Sequence, residues 1–487
     1  VNLLVAMEEK LRYLELLRML AYTGLTTIES AMGTLSVITG ATVIKAREKD
    51  LVVPTFIKDR LNTEKYEGAY VGEPQRGFQH DIVSFDANSL YPNTMISLNL
   101  SPETKVGRIT HKDDDYIHIK HVSGKEFKLS HVKFMEFVDR ENIAVSRAKI
   151  LFSQNKKGII PEIVDNIYQQ RVEVKKQLQK LKIKLSKMEE TDDEYKSIST
   201  LARQLDIKQF TLKILINTVY GYFGNKHAPI GDPDIARSIT LTGQAVIKKS
   251  NDILREYIDK YGDPGPDPII YNDTDSSYIS IKRVMSKLGT PFHDNMNITQ
   301  SAYDQAQLVE DYLNKGITEW SQKILNSKDT RFVFKRECMC DVGTFLQKKR
   351  YVLRVLDDEG IPTNKFKYTG VEVVRSTIPA PIKPYIKRKV AYWLGYSSES
   401  ITRRLLQQFS ELEFHNFKGK ALECLEKEAG VTIFNENIIK LNRFQYEIRN
   451  ESVSITFAYF VKCVLKFMIE WNLVLFHCIK ALFVTPN

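Results

Sequence analysis

The chain has 487 residues, enough for about three domains, and its 43% hydrophobic and 27% charged residues exclude a disordered or an integral membrane protein. Lysine and arginine total 70 against 60 for aspartate and glutamate, and the formal charge of +10 favours a polyanionic partner, nucleic acid before an anionic membrane. The five cysteines are too few for a disulfide framework, so we expect an intracellular, reducing compartment.

The first 80 residues predict a helical segment and then a connection. Gly24 is placed to end a helix whose apolar side chains recur at helical spacing, namely Leu3, Leu4, Met7, Leu11 and Leu14. Glycine and proline residues between positions 68 and 77 predict a loop that enters a new unit.

Three later segments predict strands. Residues 81–86 form a hydrophobic run that ends in Asp86, which indicates a buried strand. Residues 114–135 alternate polar and apolar around Ser123 and Gly124, which predicts a hairpin, and residues 268–282 are typical of a strand, a tight turn and a strand.

Residues 160–222 predict two long helices that pack as a hairpin. The packing stripe has a 3-4-3 spacing and consists of Leu178, Leu181, Leu185 and Met188, and the acidic residues between 189 and 194 are expected at the exposed tip. Residues 452–487 are strongly apolar, but charged residues interrupt them, so no run approaches the ~20 residues of a membrane span. A buried helix is favoured there over a membrane-surface helix.

Paired carboxylates give the sharpest chemical signal. Asp273 and Asp275 lie in the predicted turn of the segment Tyr271 to Ser276. Two carboxylates at this spacing repel each other unless cations neutralise them, and oxygen ligands of this kind suit Mg²⁺. The alternative is an Asx-rich hairpin turn that binds no metal.

Two further segments have the same chemical character. After Asp86, residues 89–92 (Ser-Leu-Tyr-Pro) predict a sharp turn that can direct backbone N–H groups at an anion. On the second long helix, four residues at i, i+4, i+7 and i+8 share one face, namely Lys213, Asn217, Tyr220 and Gly221. Alone, such a face is more often a solvated helix surface.

In chain order, the three segments resemble motifs A, B and C of family B DNA polymerases of the T-even phage type: D-x-x-S-L-Y-P, K-x-x-x-N-x-x-Y-G and Y-x-D-T-D-S. Residues 348–351 (Lys-Lys-Arg-Tyr) match the family's K-K-R-Y motif. Residues 170–175 resemble the first fingers helix, and residues 368–375 resemble the segment that enters the thumb. The resemblance covers roughly residues 66 to 390.

The resemblance implies an α+β right hand with an antiparallel-sheet palm (66–160 and 223–378), helical-hairpin fingers (161–222) and a mostly helical partial thumb (379–451). The apolar tail, 452–487, has no assigned role. Enzymes of this kind normally carry an exonuclease domain before the palm, and we expect residues 1–65 to follow a missing one. The chain is then a split-gene product, a truncated chain or a fragment. If the gene is split, a separate exonuclease-bearing chain would dock on residues 1–65.

The resemblance also implies a catalytic centre. Asp86, Asp275 and the backbone carbonyl of Ala87 would hold two Mg²⁺ ions, with Asp273 close by. Glu337 is either a further palm carboxylate or a surface charge. Three cationic side chains would bind the incoming triphosphate, namely Arg171, Lys175 and Lys213. Lys213 is also a candidate proton donor to pyrophosphate.

Further roles follow from the same resemblance. The backbone amides of Ser89 and Leu90 would contact the triphosphate, and Tyr91 would stack under the deoxyribose and exclude a 2′-hydroxyl. Asn217 and Tyr220 would lie beside the nascent base pair. The remaining motif residues would bind the DNA, namely Gly221, Lys348, Lys349, Arg350 and Tyr351.

The implied function is a DNA-directed DNA polymerase core, with primer–template DNA and dNTPs as substrates, a sliding clamp as a partner, and the host cytoplasm as its location if a phage encodes it. The alternatives are a reverse transcriptase, a catalytically silent DNA-binding subunit of a split polymerase and, more distantly, a membrane-binding protein. Tyr91 and the Lys213 helix argue against the first alternative, and the intact aspartates argue against the second.

Overall fold

A computed structural model of the chain describes residues 2–54, 67–185, 188–189, 192, 194–225 and 227–375, together with positions 383, 387, 390 and 394. Apart from those four positions, the predicted thumb and the apolar tail lie outside the described residues, as do residues 190, 191 and 193 of the predicted acidic tip. In the part of the chain that the structure describes, no helix is both long enough and apolar enough to cross a membrane.

The described residues of the N-terminal segment form four helices: α1 (Asn2–Leu11), α2 (Tyr13–Gly24), α3 (Ile28–Ala31) and α4 (Thr34–Glu48). The predicted helix does end at Gly24, but Arg12 adopts a left-handed conformation with φ of 50° and divides it in two. Leu3, Met7 and Leu14 are exposed, so these members of the predicted stripe lie at the surface.

A long strand, β1 (Gly77–Ala87), and a short helix, α5 (Leu90–Ser97), come next and precede a five-stranded antiparallel sheet of order β4-β3-β2-β6-β5. Its strands are β2 (Lys105–Lys112), β3 (Tyr116–His121), β4 (Glu126–Ser130), β5 (Ile143–Val145) and β6 (Ile150–Ser153), and helix α6 (His131–Arg140) lies between β4 and β5 in the chain. The predicted hairpin is confirmed as β3 and β4. Its last five residues are helical instead, because the Ser130 hydroxyl caps α6 by accepting from the backbone N–H of Lys133.

The predicted pair of long helices is confirmed as α7 (Ile159–Leu185) and α8 (Tyr195–Gly224). Leu178 is buried between them, whereas Leu181 and Leu185 are half-buried. Towards the base of the hairpin, Val174 of α7 and Leu212 of α8 join the main hydrophobic core of the molecule.

The rest of the described chain alternates helices with hairpins. In order, these elements are α9 (Pro233–Tyr261), β7 (Ile269–Asp273), β8 (Ser276–Ser280), α10 (Lys282–Leu288), β9 (His293–Asp294), β10 (Asn297–Ile298), α11 (Gln300–Trp320), a π-helical turn (Ser321–Leu325), β11 (Phe334–Gln347), β12 (Arg350–Asp358) and β13 (Ile361–Thr369). The predicted strand, turn and strand of residues 268–282 are confirmed as β7 and β8.

A six-stranded antiparallel sheet of order β13-β12-β11-β1-β8-β7 supports the candidate site. Val83 and Phe85 of β1 belong to the same core as α9 and α11, while Ile82 packs in a separate cluster on the opposite face. Because successive strand residues point to opposite faces, Asp86 lies with Ile82 and Ser84 on the face away from those helices. The mixture of helices and antiparallel sheets confirms the predicted α+β class.

Candidate active site

Asp86 and Asp275 come from adjacent elements of the central sheet. In the ladder between β1 and β8, Asp86 lies opposite Ser276. The backbone N–H of Ala87 donates to the backbone carbonyl of Asp275 over 2.8 Å. Thr274, with φ of 63°, makes the tight turn that carries Asp275. The structure therefore brings the two predicted metal-binding carboxylates together.

The carboxylates at this site strongly perturb one another. Burial is the main cause that raises the pKa of Asp86 to about 7, and the negative charges of Asp275 and Glu337 add to it. Burial also raises the pKa of Asp275, reinforced by Asp273 and Glu337. Ionisation is costly for such a cluster unless positive charge is nearby, so the arrangement favours cation binding.

Glu337 lies beside this pair, although the sequence left open whether it was a surface charge. It is half-buried on β11, where its carboxylate accepts from the Ser84 hydroxyl over 3.2 Å and from the Lys367 ammonium over 2.8 Å. Burial alone lowers the pKa of Lys367, but the hydrogen bond and charge of Glu337 outweigh burial and raise it. Lys367 is a site residue that the sequence reasoning missed.

Asp273 forms an ion pair with Lys349. The ammonium lies 2.5 Å from one carboxylate oxygen, and the backbone N–H of Lys349 donates to the Tyr271 hydroxyl over 2.7 Å. Lys349 occupies the turn between β11 and β12 with φ of 59°. The sequence placed Lys349 on the DNA duplex, whereas in the structure it also neutralises a carboxylate of the turn that carries Asp275.

The other residues of the Lys-Lys-Arg-Tyr segment differ in exposure. Lys348 is exposed and pairs with Glu73 over 2.9 Å, whereas Arg350 is half-buried at the start of β12. Tyr351 is only 4% exposed, and its hydroxyl lies 3.0 Å from that of Tyr278. The predicted DNA contact of the Tyr351 side chain does not fit this burial, because its ring supports the strand pair from within the sheet's aromatic cluster.

The predicted sharp turn after Asp86 is present. Ser89 has a left-handed φ of 49° and begins α5, whose first turn contains Leu90 and Tyr91. Backbone N–H groups in the first turn of a helix have no acceptor within the helix, so this end can receive an anion. The Tyr91 ring packs against the ring of Tyr220 on α8, with centroids 4.8 Å apart.

The predicted polar face of α8 is confirmed. Lys213, Asn217 and Gly221 are exposed and Tyr220 is half-buried. The opposite face is buried in the core through Leu212, Leu215, Ile216 and Val219. Through the contact of Tyr220 with Tyr91, this face adjoins the turn that follows Asp86.

Helix α7 presents the two predicted phosphate ligands. Lys175 is exposed, whereas Arg171 is half-buried, and its buried Nε finds no hydrogen-bond acceptor among the described residues. Burial lowers the pKa of Arg171, which reflects the cost of this desolvated charge. One turn earlier, the Tyr168 hydroxyl accepts from the Asn88 side chain over 2.7 Å and joins α7 to the turn after Asp86. Neither Asn88 nor Tyr168 was predicted.

Residues 70–75 also support the site in a way that the sequence did not indicate. Their backbone runs along the free edge of β7: Gly72 and Gln75 donate to the carbonyls of Asn272 and Ile270, and Tyr70 accepts from Thr274. This stretch was predicted only as a connecting loop. Its glycines and proline did not reveal that it holds the turn of Asp275 in place.

The residues at this centre fit a hard divalent cation, although the side chains alone make a sparse site. Among the described residues, no group of three or more histidine, cysteine, aspartate or glutamate side chains is arranged to hold a metal ion. Asp86 and Asp275 with the carbonyl of Ala87 instead offer two carboxylates and one backbone oxygen, ligands that Mg²⁺ accepts together with water and substrate phosphates. The raised pKa values of both carboxylates are consistent with that fit.

Comparison of the sequence with known proteins finds a protein family that it matches. The model of DNA polymerase family B matches residues 32–304, more than half of the chain. Among curated proteins, the DNA-directed DNA polymerase of Escherichia phage RB69 is 25% identical over 386 residues, which cover 70% of this chain and 41% of the relative. The corresponding enzyme of Enterobacteria phage T4 is 26% identical over 390 residues, covering 69% and 41%.

Similarity extends to a eukaryotic enzyme. The DNA polymerase delta catalytic subunit of Candida albicans is 31% identical over 239 residues, which cover 48% of this chain and 19% of the relative. The chain spans about two fifths of the length of the phage relatives that it matches.

Proposed function

The chain belongs to DNA polymerase family B, and from this premise we propose that it catalyses template-directed transfer of dNMP to a primer 3′-hydroxyl. One observation carries the proposal. Asp86 lies beside Asp275, because the backbone N–H of Ala87 donates to the Asp275 carbonyl, and the Tyr91–Tyr220 contact connects the turn after Asp86 to the polar face of α8. A carboxylate pair beside a cationic helix face has the chemistry that phosphoryl transfer requires.

The proposed subdomains are a palm and fingers. The two larger sheets and their helices would form the palm (66–160 and 223–378), and α7 with α8 would form the fingers (161–222). Residues 379–451 are proposed as a partial thumb. The hydrogen bond between Asn88 and Tyr168 connects the proposed palm to the proposed fingers close to Asp86.

Asp86, Asp275 and the Ala87 carbonyl would hold two Mg²⁺ ions, which when bound supply charge neutralisation and activate the primer hydroxyl. The protein adjusts the surrounding charge. Lys349 pairs with Asp273, and its charge lowers the pKa of Asp275. Lys367, beside Glu337, acts in the same direction on Asp86. These lysines limit the repulsion that would otherwise drive the central carboxylates apart.

Arg171, Lys175 and Lys213 are proposed to bind the incoming triphosphate. The strongest support comes from Arg171, because a desolvated guanidinium gains most from an anionic partner. The backbone amides of Ser89 and Leu90 are proposed to complete this site at the N-terminus of α5. Lys213, exposed on α8, is also the proposed proton donor to pyrophosphate.

Recognition of sugar and base is proposed for the aromatic pair. Tyr91 would stack under the deoxyribose and exclude a 2′-hydroxyl, with Tyr220 against its ring. Asn217 and Gly221, exposed on the same face of α8, would lie beside the nascent pair. The Lys348, Lys349 and Arg350 turn would contact the duplex backbone, so DNA affinity should fall steeply with salt.

Proposed partners extend beyond substrates. A separate exonuclease-bearing chain is proposed to dock on residues 1–65, where Leu3, Met7 and Leu14 are exposed. A sliding clamp and a location in the host cytoplasm are proposed on the resemblance to phage enzymes alone.

A second candidate function is a catalytically silent DNA-binding subunit of a split polymerase. Primer extension by the purified chain, with the Asp86→Asn variant alongside, separates the two. Extension by the wild type and not by the variant supports the enzyme. Tight primer–template binding without extension by either protein supports the silent subunit.

A further inference from the structure

The Tyr91 ring lies against the backbone of a helix as well as against Tyr220. Gly243 is buried in the interior of α9. A Cβ atom added at Gly243 would lie 3.1 Å from Cε1 of Tyr91, 3.5 Å from its Cδ1 and 3.4 Å from Cδ2 of Leu90. The ring is therefore held between α9 and the Tyr220 ring on α8, whose centroid is 4.8 Å away.

Glycine is a poor helix former, so its place inside a helix of 29 residues calls for a packing reason. The contact with Tyr91 supplies one. A methyl group 3.1 Å from the ring would be closer than an ordinary van der Waals contact, so a neighbouring group has to move by a few tenths of an ångström. The half-buried Tyr91 side chain is better able to move than the α9 backbone.

We infer that Gly243 is a positioning residue that sets the place of the Tyr91 ring and so the selectivity for deoxyribose over ribose. The inference rests on the proposed function, in which Tyr91 contacts the sugar. Gly243 itself touches no substrate in this account. Its missing side chain allows the ring to lie close to α9, and any side chain at 243 pushes the ring towards Tyr220.

The direction of the effect follows from the two tasks proposed for the ring. A displaced ring stacks less well on a deoxyribose, so the efficiency of dNTP insertion falls. Insertion of an rNTP is already limited by the clash with the 2′-hydroxyl and loses less. The selectivity ratio, dNTP efficiency over rNTP efficiency, should therefore decrease, and a larger side chain should decrease it further.

The test uses Gly243→Ala and Gly243→Val in the full chain, with kcat/KM for dCTP and rCTP measured opposite a template guanine. We expect the ratio to fall about tenfold in Gly243→Ala, equivalent to about 1.4 kcal/mol, and further in Gly243→Val. Gly243→Ala decides the question if the valine variant does not fold, because alanine favours the helix and should leave Tm nearly unchanged.

Gly316→Ala is the matched control. The same substitution on α11 would crowd Cδ1 of Ile253 at 2.9 Å, which also lies on α9 but ten positions beyond Gly243. We expect this variant to change Tm and to leave the selectivity ratio unchanged. An equal fall of the ratio in both variants would show general damage to α9 and overturn the inference.

A double variant tests whether Gly243 acts through Tyr91. In a Tyr91→Ala background the ring is gone, so adding Gly243→Ala should change dCTP efficiency by less than about twofold. A full effect in that background, or an unchanged ratio in both single variants, refutes the inference alone. Failure of the wild-type chain to extend any primer refutes the proposed function instead.

Discussion

Replacing Arg171 with alanine should weaken dNTP use without weakening DNA binding or the fold. The Nε of this half-buried guanidinium has no hydrogen-bond acceptor among the described residues, so the substitution breaks no hydrogen bond of the Nε there. Arg171 forms no ion pair with any carboxylate of the described residues, so removing this desolvated charge is not expected to lower Tm. In the proposed function, the partner of this guanidinium would be a phosphate group of the incoming dNTP.

The magnitude follows from the kind of bond that is lost. A hydrogen bond between a charged donor and a phosphate contributes about 1.5–3 kcal/mol, which corresponds to about 10- to 160-fold in kcat/KM for dNTP. Lys213→Ala on the facing helix should act in the same direction, and with a lower chemical rate if Lys213 also donates the proton. Single-turnover insertion over a range of dNTP concentrations separates affinity from rate.

Lys176→Ala is the matched control for Arg171→Ala. Lys176 is exposed on the same helix, about 140° around it from Arg171, so it carries the same charge to a different face. Its removal should leave dNTP efficiency nearly unchanged. If Arg171→Ala mainly raised the Kd for primer–template DNA, or matched the control, Arg171 would not belong to the triphosphate site.

Three further outcomes are expected. Asp86→Asn or Asp275→Asn should abolish extension with little change in the Kd for DNA, because each removes a proposed metal ligand and not a proposed duplex contact; single-turnover rates near wild type would contradict this. Tyr91→Ala should lower the dNTP-to-rNTP selectivity ratio, and an unchanged ratio would remove Tyr91 from the sugar site. Tyr168→Phe should lower dNTP efficiency about 2- to 10-fold by breaking the link to Asn88; loss of Tm with unchanged kinetics would make that link merely structural.

Local patterns in the sequence predicted the elements that carry the site. Alternation and turn residues predicted β7, β8 and the strand ending in Asp86, and helical spacing predicted α7 and α8, because these signals reside in neighbouring residues. The polar face of α8 could be read from residue spacing alone. The break at Arg12 could not, since a left-handed residue between two helices has no apolar period of its own.

Contacts that depend on distant pairing were not predictable in this way. β1 pairs with β11 more than 240 positions along the chain, and only that ladder brings Glu337 to Ser84 and the carboxylate pair. The ion pair of Lys349 with Asp273 likewise requires two separate turns to meet. Such contacts arise from tertiary closure of the sheet, which one sequence without its relatives does not reveal.

The activity that we propose for this chain is primer extension at the centre formed by Asp86 and Asp275. Its most direct test is extension of a labelled primer on a defined template by the purified chain with Mg²⁺ and dNTPs, with Asp86→Asn measured in parallel. We predict products whose sequence follows the template, formed by the wild type and absent with the variant. No extension by the wild type, or equal extension by both proteins, would contradict the claim.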